Sequence, residues 1–292
     1  MSGNYGLRSG LSYEKYSEIR AVNRSLLEKM MRSPAHAREY MLNPQEPTAA
    51  QKIGQAVHVA ILEPEKFQAE YAVAPPIDRR TKAGKEAWDA FRASSGSRII
   101  LDNDEAALCE ALRTSVKDHP EASKIVASRG TCESVACWRD GATGLDCKAR
   151  IDLYCDFAGS TVVELKTTRD ASPEGFSREI SRYGYHRQAA YYLGGLEALS
   201  PATDRKFIFI AVEKEPPYAV GVYELDESSI EQGRVEIECL LSSYAKCVQE
   251  GVWPGYSPTI RPIGIPKWAF GDYTAAMRSG ELAPVGAESE EV

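Results

Sequence analysis

The chain of 292 residues lacks several features that would place it in a specialised class. No apolar run approaches the about 20 residues needed to cross a bilayer, and the first residues contain no apolar stretch of the kind found in a secretory signal. The seven cysteines are an odd number without a C-x-x-C pair, so a disulfide framework is not indicated. We therefore expect reduced thiols in a cytoplasm.

Positive charge is also scarce. The chain has 35 Lys and Arg against 42 Asp and Glu, a formal net charge of −7. This balance argues against a simple nucleic-acid coat, because phosphate binding requires clustered cations. An enzyme with a local basic channel on an acidic body is still compatible with it, so the distribution of charge has to decide.

The composition does support a buried core, since hydrophobic residues make up 43% of the chain and charged residues 26%. Apolar spacing predicts helices over residues 23–42 (broken at Ser33-Pro34), 49–62, 103–118, 172–199 and 227–250. Strands are predicted over residues 132–139, 147–155, 161–167, 206–213 and 218–225. The basic stretch 75–86 predicts a loop. This order predicts an α/β fold with a mixed central sheet flanked by helices.

The same patterns divide the chain into three parts. Residues 1–20 are expected to be a flexible N-terminus, and residues 21–275 a single domain. Within that domain, residues 21–130 are mainly helical, residues 131–225 form the sheet core, and residues 226–275 form a C-terminal helix and extension. Residues 276–292 are expected to be a disordered acidic tail.

The chemistry is concentrated in two neighbouring strands, KARIDLYC and VVELK. A short hairpin centred on Ala158 would set Asp152 opposite Glu164 and Arg150 opposite Lys166. Like charges directly opposite destabilise a sheet, and a divalent cation such as Mg²⁺ or Mn²⁺ between the acids would remove the repulsion. Lys166 could then orient water or stabilise charge on a phosphoryl oxygen. The pattern also fits a polar strand face whose charges point into water.

Four further side chains are candidates for the same site. Gln188 and Tyr192 lie at i and i+4 of a predicted helix, where they could contact a substrate phosphate or simply pack. His58 stands among small and apolar residues and could be a third metal ligand or a core histidine. Glu133 begins the first strand of the sheet core and could add a carboxylate.

This ordered set resembles the PD-(D/E)-X-K nucleases of the exonuclease VIII (RecE-type) branch, which are related to the lambda-type alkaline exonucleases and the RecB nuclease domain. The flanking strings agree over roughly residues 20–270: SLLEKMMRSPAHAREY, GQAVHVAILEPE, IDRRTKAGKEAW, GYHRQAAYY and WPGYSPTIRPIGIPKWA. The chain departs from the usual Pro-Asp pair, because Asp152 follows Ile151.

The resemblance implies a restriction-endonuclease-like core and a Mg²⁺-dependent exonuclease, with Mn²⁺ able to substitute and two ions in the site. Such an enzyme degrades linear double-stranded DNA from 5′ to 3′, releases mononucleotides and leaves a 3′ single strand for recombination or repair. By residue, it implies metal binding by His58, Asp152, Glu164 and the backbone carbonyl of Leu165, and catalysis by Glu133, Asp152, Glu164, Lys166, Gln188 and Tyr192.

The resemblance also bears on partners. Ser25 could hold a 5′-phosphate or could be an ordinary N-cap. The related enzymes form trimeric or tetrameric rings through which DNA threads, and a ring would place basic residues in its bore while the outside stays acidic. A single-strand annealing protein is the implied partner, in the cytoplasm of a bacterial or phage-infected cell. Candidates for DNA backbone contact are Arg79, Arg80, Lys82 and Lys85, which otherwise belong to a solvated loop.

Several alternatives stay open. The metal-binding residues do not determine the direction in which a strand is degraded, so a RecB-type nuclease of other polarity stays open. A non-catalytic clamp on DNA ends is a second alternative, disfavoured because a binding module needs no catalytic lysine. An iron–sulfur nuclease is rejected, since only Cys239 and Cys247 follow the Gln-Tyr helix.

Overall fold

The computed structural model describes residues 5–43, 47–202, 204–266 and 278–279. The chain forms two compact units, Met1–Pro254 and Gly255–Val292. The first contains all the helices and strands named below. In the second, residues 255–266 are irregular, and Ile260 and Ile263 are almost fully exposed. Across the described ranges, no helix has both the length and the apolarity needed to cross a membrane.

The first unit alternates helices with strands. The helices are α1 (Tyr13–Glu18), α2 (Arg24–Arg32), α3 (Pro34–Leu42), α4 (Ala49–Leu62), α5 (Pro64–Glu70), α6 (Lys82–Ser95), α7 (Asn103–Asp118), α8 (Pro120–Val126), α9 (Pro173–Tyr183), α10 (Tyr185–Leu199) and α11 (Glu227–Glu250). The strands are β1 (Gly6–Arg8), β2 (Tyr71–Val73), β3 (Ile99–Leu101), β4 (Gly130–Arg139), β5 (Asp146–Cys155), β6 (Thr161–Thr168), β7 (Lys206–Glu213) and β8 (Val220–Glu224).

Six strands form one mixed sheet in the order β1-β4-β5-β6-β7-β8, in which only β6 and β7 are parallel. Strands β2 and β3 form a separate parallel pair. The predicted α/β fold with a mixed central sheet flanked by helices is therefore confirmed. The helix predicted over residues 172–199 is divided into α9 and α10 at Gly184, whose φ of 64° is left-handed.

The central strands are buried on both faces, so each face carries its own core. Along β7, Phe207 and Phe209 enter the cluster packed by α2, α9, α10 and α11, whereas Ile208 and Ile210 enter the cluster packed by α4, α7 and α8. Because side chains alternate on a strand, this near-continuous apolar run buries both faces. The sheet therefore lies between two layers of helices.

Strands β5 and β6 separate at the position where the acids stand. Their pairing runs from Cys155–Thr161 to Leu153–Val163 in the predicted register and ends there, one position before Asp152 and Glu164. Beyond the split, a side chain accepts from the backbone of β6, since Leu165 N donates to Asp152 Oδ2 at 2.9 Å. The sheet thus opens into a fork whose base is lined by carboxylates.

The N-terminal segment closes the outer edge of this fork. Val22 N donates to Asp146 O at 2.8 Å, and Lys148 N donates to Val22 O at 2.7 Å, so the segment pairs beside β5. The Lys148 side chain is buried, and its Nζ donates to the carbonyl oxygens of Tyr16 and Ile19, each at 2.7 Å. These bonds tie the C-terminal end of α1 to the sheet.

The structure differs from the sequence-based expectation in two segments. Residues 1–20 were expected to be flexible, but Gly6–Arg8 pairs antiparallel with β4 and α1 follows it, capped by Ser12. These elements have three and six residues, which is too short for a periodic signal. The predicted tail, 276–292, lies outside the described residues apart from 278–279.

The second difference concerns the basic stretch 75–86, of which residues from Lys82 onward belong to α6. Thr81 caps this helix by accepting from Gly84 N at 2.9 Å. In the sequence, Gly84 suggested a loop. In the structure it lies in the first turn of α6, where a Cβ would lie 2.0 Å from Asp78 O. The glycine therefore allows a close backbone approach in the first helical turn.

Candidate active site

Three neighbouring strands bring three carboxylates into one row. The residues on either side of Glu133 in β4 pair with those on either side of Asp152 in β5. The β5–β6 register places Glu164 at the next position across. The three acids therefore stand side by side on adjacent strands, and like charges in that arrangement repel.

Glu133 has an unusual backbone. Its φ is 51°, in the left-handed region that costs a non-glycine residue of order 1–3 kcal/mol. Its carboxylate lies 2.6 Å from Arg150 Nε. Burial and the charge of Asp152 raise the Glu133 pKa from the usual 4.5 to about 7, although Arg150 partly opposes the shift. Glu133 is thus a strained, partly buried acid beside another acid.

Asp152 is the centre of the row and is contacted from two sides. His58 Nδ1 lies 3.4 Å from Asp152 Oδ2, the oxygen that also accepts the Leu165 N–H. Burial opposes ionisation of Asp152, but His58 and Lys166 outweigh it and lower the pKa of the carboxyl. Burial likewise disfavours the charged imidazole of His58, and the attraction of Asp152 overcomes it and raises the His58 pKa.

His58 reaches this point because α4 buries its neighbours. Ala56, Val57 and Ala60 pack into the core, and His58 is directed toward the acids. Donor atoms of His58, Glu133 and Asp152 lie within 4.8 Å of one another. This trio could hold a metal ion. Of the two sequence-based alternatives for His58, a ligand and a core residue, its position fits the ligand.

Glu164 supplies a direct test of whether a cation fits. Its Oε1 accepts from Lys166 Nζ at 2.6 Å, while its buried Oε2 has no hydrogen-bond partner among the described residues. Burial and the charge of Asp152 raise the Glu164 pKa. A buried oxygen without a donor is destabilising, and a cation would satisfy it. Leu165 follows with its side chain fully buried, which anchors the strand between Glu164 and Lys166.

Lys166 is held by groups from β6 and α10. Besides Glu164, its Nζ donates to Gln188 Oε1 at 3.1 Å and lies 4.5 Å from the centre of the Tyr185 ring. The ammonium is therefore fixed at the acids. Gln188 is almost fully buried, so its contact with Lys166 is internal.

Tyr192 lies in the core next to Gln188. It is buried one turn beyond Gln188, with its ring 6.3 Å from that of Phe207. Burial raises the Tyr192 pKa well above 10, and a hydrogen bond with Gln188 partly opposes the shift. Tyr192 therefore packs beside Gln188, and its contact with a substrate phosphate stays a prediction. The i, i+4 spacing places both residues on one helix face but does not distinguish a site from the core.

A groove leads to the acids from α2 and α4. A recess of about 800 Å³ and a second of about 360 Å³ share Tyr13, Ser25, Tyr40, Gln55 and His58, and the second ends at Glu133, Arg150 and Asp152. The two recesses therefore form one groove with the acids at its end.

Ser25 lies in this groove as an exposed residue near the start of α2. It is not the N-cap of that helix, because Asn23 Oδ1 accepts from Leu26 N at 2.8 Å and holds that position. The N-cap alternative for Ser25 is therefore wrong.

The basic residues expected to contact DNA lie outside this groove, and their contact with DNA stays a prediction. Arg79, Arg80, Lys82 and Lys85 are exposed, and none of them lines the groove as described above. Arg80 pairs with Asp78 at 2.9 Å, and the Arg79 guanidinium lies 4.5 Å from the centre of the Trp88 ring.

The groove contains other basic residues, which were not among the predicted DNA contacts: Lys29, Arg32 and Arg150. For Arg150 a signal existed, because it alternates with Asp152 on one strand face.

Comparisons with known proteins agree with this architecture. No curated protein matches the chain. The solved structure of a "Putative exonuclease" from Eubacterium rectale superposes with a TM-score of 0.57 at 12% identity, covering 90% of this chain and 99% of that one. A second solved structure, SSO0001, aligns over 77% of this chain and 85% of that one at 16% identity, with a TM-score of 0.27.

A comparison with protein-family models identifies the family. The sequence model described as "PDDEXK-like domain of unknown function (DUF3799)" matches residues 23–262. This match supports a nuclease of the PD-(D/E)-X-K superfamily with a restriction-endonuclease-like fold, and the exonuclease VIII branch stays a prediction. Because the match spans most of the chain, the protein belongs to the DUF3799 family of PDDEXK-like domains.

Proposed function

We propose that the protein is a divalent-cation-dependent exodeoxyribonuclease that degrades linear double-stranded DNA. The observation that carries this proposal is the buried Glu164, whose Oε2 has no hydrogen-bond partner in the described part of the chain while Lys166 donates to its Oε1. The family match and the solved neighbour called "Putative exonuclease" support it. In the proposed reaction, hydrolysis runs from 5′ to 3′, releases mononucleotides and leaves a 3′ single strand for recombination.

Two groups of ligands are available for two Mg²⁺ ions. His58, Glu133 and Asp152 would hold one, and Asp152, Glu164 and the Leu165 carbonyl would hold the other. Carboxylates suit Mg²⁺ and Mn²⁺, and the imidazole adds preference for Mn²⁺, which we expect to substitute. A bound cation would lower the pKa of water and offset the charge that develops on the phosphate.

The chain's own groups would align the reactants. Lys166 presents an ammonium beside the acids and would donate to a phosphate oxygen or orient the attacking water. Gln188 accepts from Lys166 and would keep that ammonium in place. Ser25, in the groove, would bind a terminal 5′-phosphate.

Assembly of several copies into a ring would allow a chain with a net negative charge to bind DNA, because basic residues would face the bore. We propose a trimeric or tetrameric ring with the groove residues facing the bore, acting beside a single-strand annealing protein in the cytoplasm of a bacterial or phage-infected cell. Sequence-independent action is consistent with contacts to the phosphate backbone, which carry no base information.

Digestion of linear and closed-circular duplexes tests this function. We expect Mg²⁺ to support loss of linear DNA only, a chelator to stop it, and Lys166→Ala to abolish it while Lys124→Ala, at an exposed lysine paired with Glu121, leaves it unchanged. Duplexes labelled at each 5′ or 3′ end should lose the 5′ label first. Cutting of closed circles, or end binding without degradation in Mg²⁺ or Mn²⁺, would contradict the proposal.

A further inference from the structure

Arg150 lies between the acid row and the groove. It precedes Asp152 by two residues on β5 and therefore shares its strand face. Its Nε is 2.6 Å from Glu133 Oε2, and the side chain lines the recess that also contains Ser25 and Gln55. A cation in this position is close enough to a bound strand to reach its phosphates.

The pair that holds Arg150 is close but poorly formed. Although Arg150 Nε lies near the Glu133 carboxylate, it is buried and makes no hydrogen bond of acceptable direction within the described part of the chain. Glu133 itself has the left-handed φ of 51°. A charged pair gains most of its strength from aligned, bidentate geometry, which this pair lacks.

Glu133 can also bind a cation, and cation binding would compete with its pairing to Arg150. Its carboxylate belongs to the trio of donors with His58 and Asp152. A carboxylate that binds a divalent cation gives up most of its attraction for a nearby guanidinium, and the cation repels the guanidinium as well. Cation binding would therefore release Arg150 from Glu133.

The guanidinium would stay near the groove after release. Its central carbon lies 5.3 Å from the centre of the Tyr13 ring, and this contact does not involve Glu133. Glu14 and Glu70 line the same recess, and Glu14 already feels the charge of Arg150. A DNA phosphate and these two acids are therefore the available partners, and a phosphate accepts a bidentate contact.

We infer that Arg150 is a phosphate-binding residue that Glu133 restrains until a divalent cation occupies the acid row. The inference rests on the proposed function and adds to it a coupling between cation binding and DNA binding. Because such coupling is reciprocal, DNA should also tighten cation binding. The chain would bind DNA weakly before the cation is loaded.

A binding cycle tests this inference without cleavage. The affinity for a short linear duplex is measured by fluorescence anisotropy in chelator and in Ca²⁺, and a gel of the same sample shows that the DNA is intact. In chelator, Glu133→Gln should bind DNA about 10-fold more tightly than the wild type. In an Arg150→Gln background, the same substitution should change affinity less than about threefold.

Two controls separate release of Arg150 from loss of negative charge or of folding. Glu70→Gln removes one charge from the same recess, and within the described residues Glu70 makes no contact with Arg150. In chelator, where Glu133 holds Arg150, this substitution should not give an Arg150-dependent gain. Thermal unfolding identifies variants that fail to fold. Arg150→Lys retains the charge without the bidentate fork and should recover part of the Ca²⁺-induced gain.

The outcomes separate this inference from the nuclease proposal. An equal gain from Glu133→Gln with and without Arg150 overturns the inference, even if the wild type degrades DNA. Coupling in the binding cycle without degradation in Mg²⁺ or Mn²⁺ overturns the nuclease proposal and leaves the Arg150 site intact. Absence of DNA binding by every variant in every condition overturns both.

Discussion

The partly buried carboxyl group of Glu133 leads to a quantitative prediction about stability in the absence of metal. Its pKa of about 7 lies above the ordinary 4.5, so the folded protein holds this proton more tightly than the unfolded chain does. The stabilisation is complete at pH values below 4.5 and is lost as the pH rises through 7. Between pH 6 and pH 8 alone, the free energy of unfolding should fall by about 1.3 kcal/mol from this group.

Glu133→Gln removes this titration and leaves the neighbouring titrating groups in place. Urea denaturation in chelator, at pH 6 and at pH 8, gives the free energy of unfolding of both proteins. The wild type should lose about 1.3 kcal/mol more than the variant over that range. An identical pH dependence in the two proteins would refute the assigned burial and charge environment of Glu133. Because proton and cation compete for one carboxylate, metal affinity of the wild type should rise over the same range.

Four further substitutions test other parts of the structure. Gln188→Ala should slow DNA degradation by about 10- to 100-fold through loss of the contact that holds Lys166, whereas Tyr192→Phe should slow it far less; equal losses would place Tyr192 at the substrate. His58→Asp replaces the imidazole with oxygen ligands and should shift the ratio of Mn²⁺- to Mg²⁺-supported rates toward Mg²⁺; an unchanged ratio would remove His58 from the ligand set. Gly84→Ala should lower the free energy of unfolding by about 1–3 kcal/mol, because the new Cβ would collide with Asp78 O; an unchanged urea midpoint would contradict that close approach.

The hairpin that carries Asp152, Glu164 and Lys166 could be predicted because it depends on local rules. Strand alternation and a short symmetric turn fix which residues share a face, and the observed pairs, such as Leu153–Val163, follow that register. The mixed sheet was predictable for the same reason, since each main strand is a distinct apolar or β-branched run.

The remaining site features depend on contacts that no local pattern encodes. Glu133 turns toward Asp152 through a left-handed φ, which nothing in the type of residue indicates. The run from Arg79 to Lys85 is basic, yet charge alone does not say whether a surface faces a groove. Ser25 and His58 lie together only because α2 and α4 pack near the same end of the sheet.

The bonds around Val22 and Lys148 make the segment from Tyr16 to Val22 part of the folded sheet. A recombinant version started downstream of Val22 would leave the edge of β5 bare and strip a buried ammonium of its carbonyl acceptors. Removing the partners of a buried charge is strongly destabilising, by about 3–5 kcal/mol for an ion pair. Tyr13, a wall of the groove, would be lost with them. The segment from Tyr13 to Val22 is therefore needed for both the sheet edge and the groove.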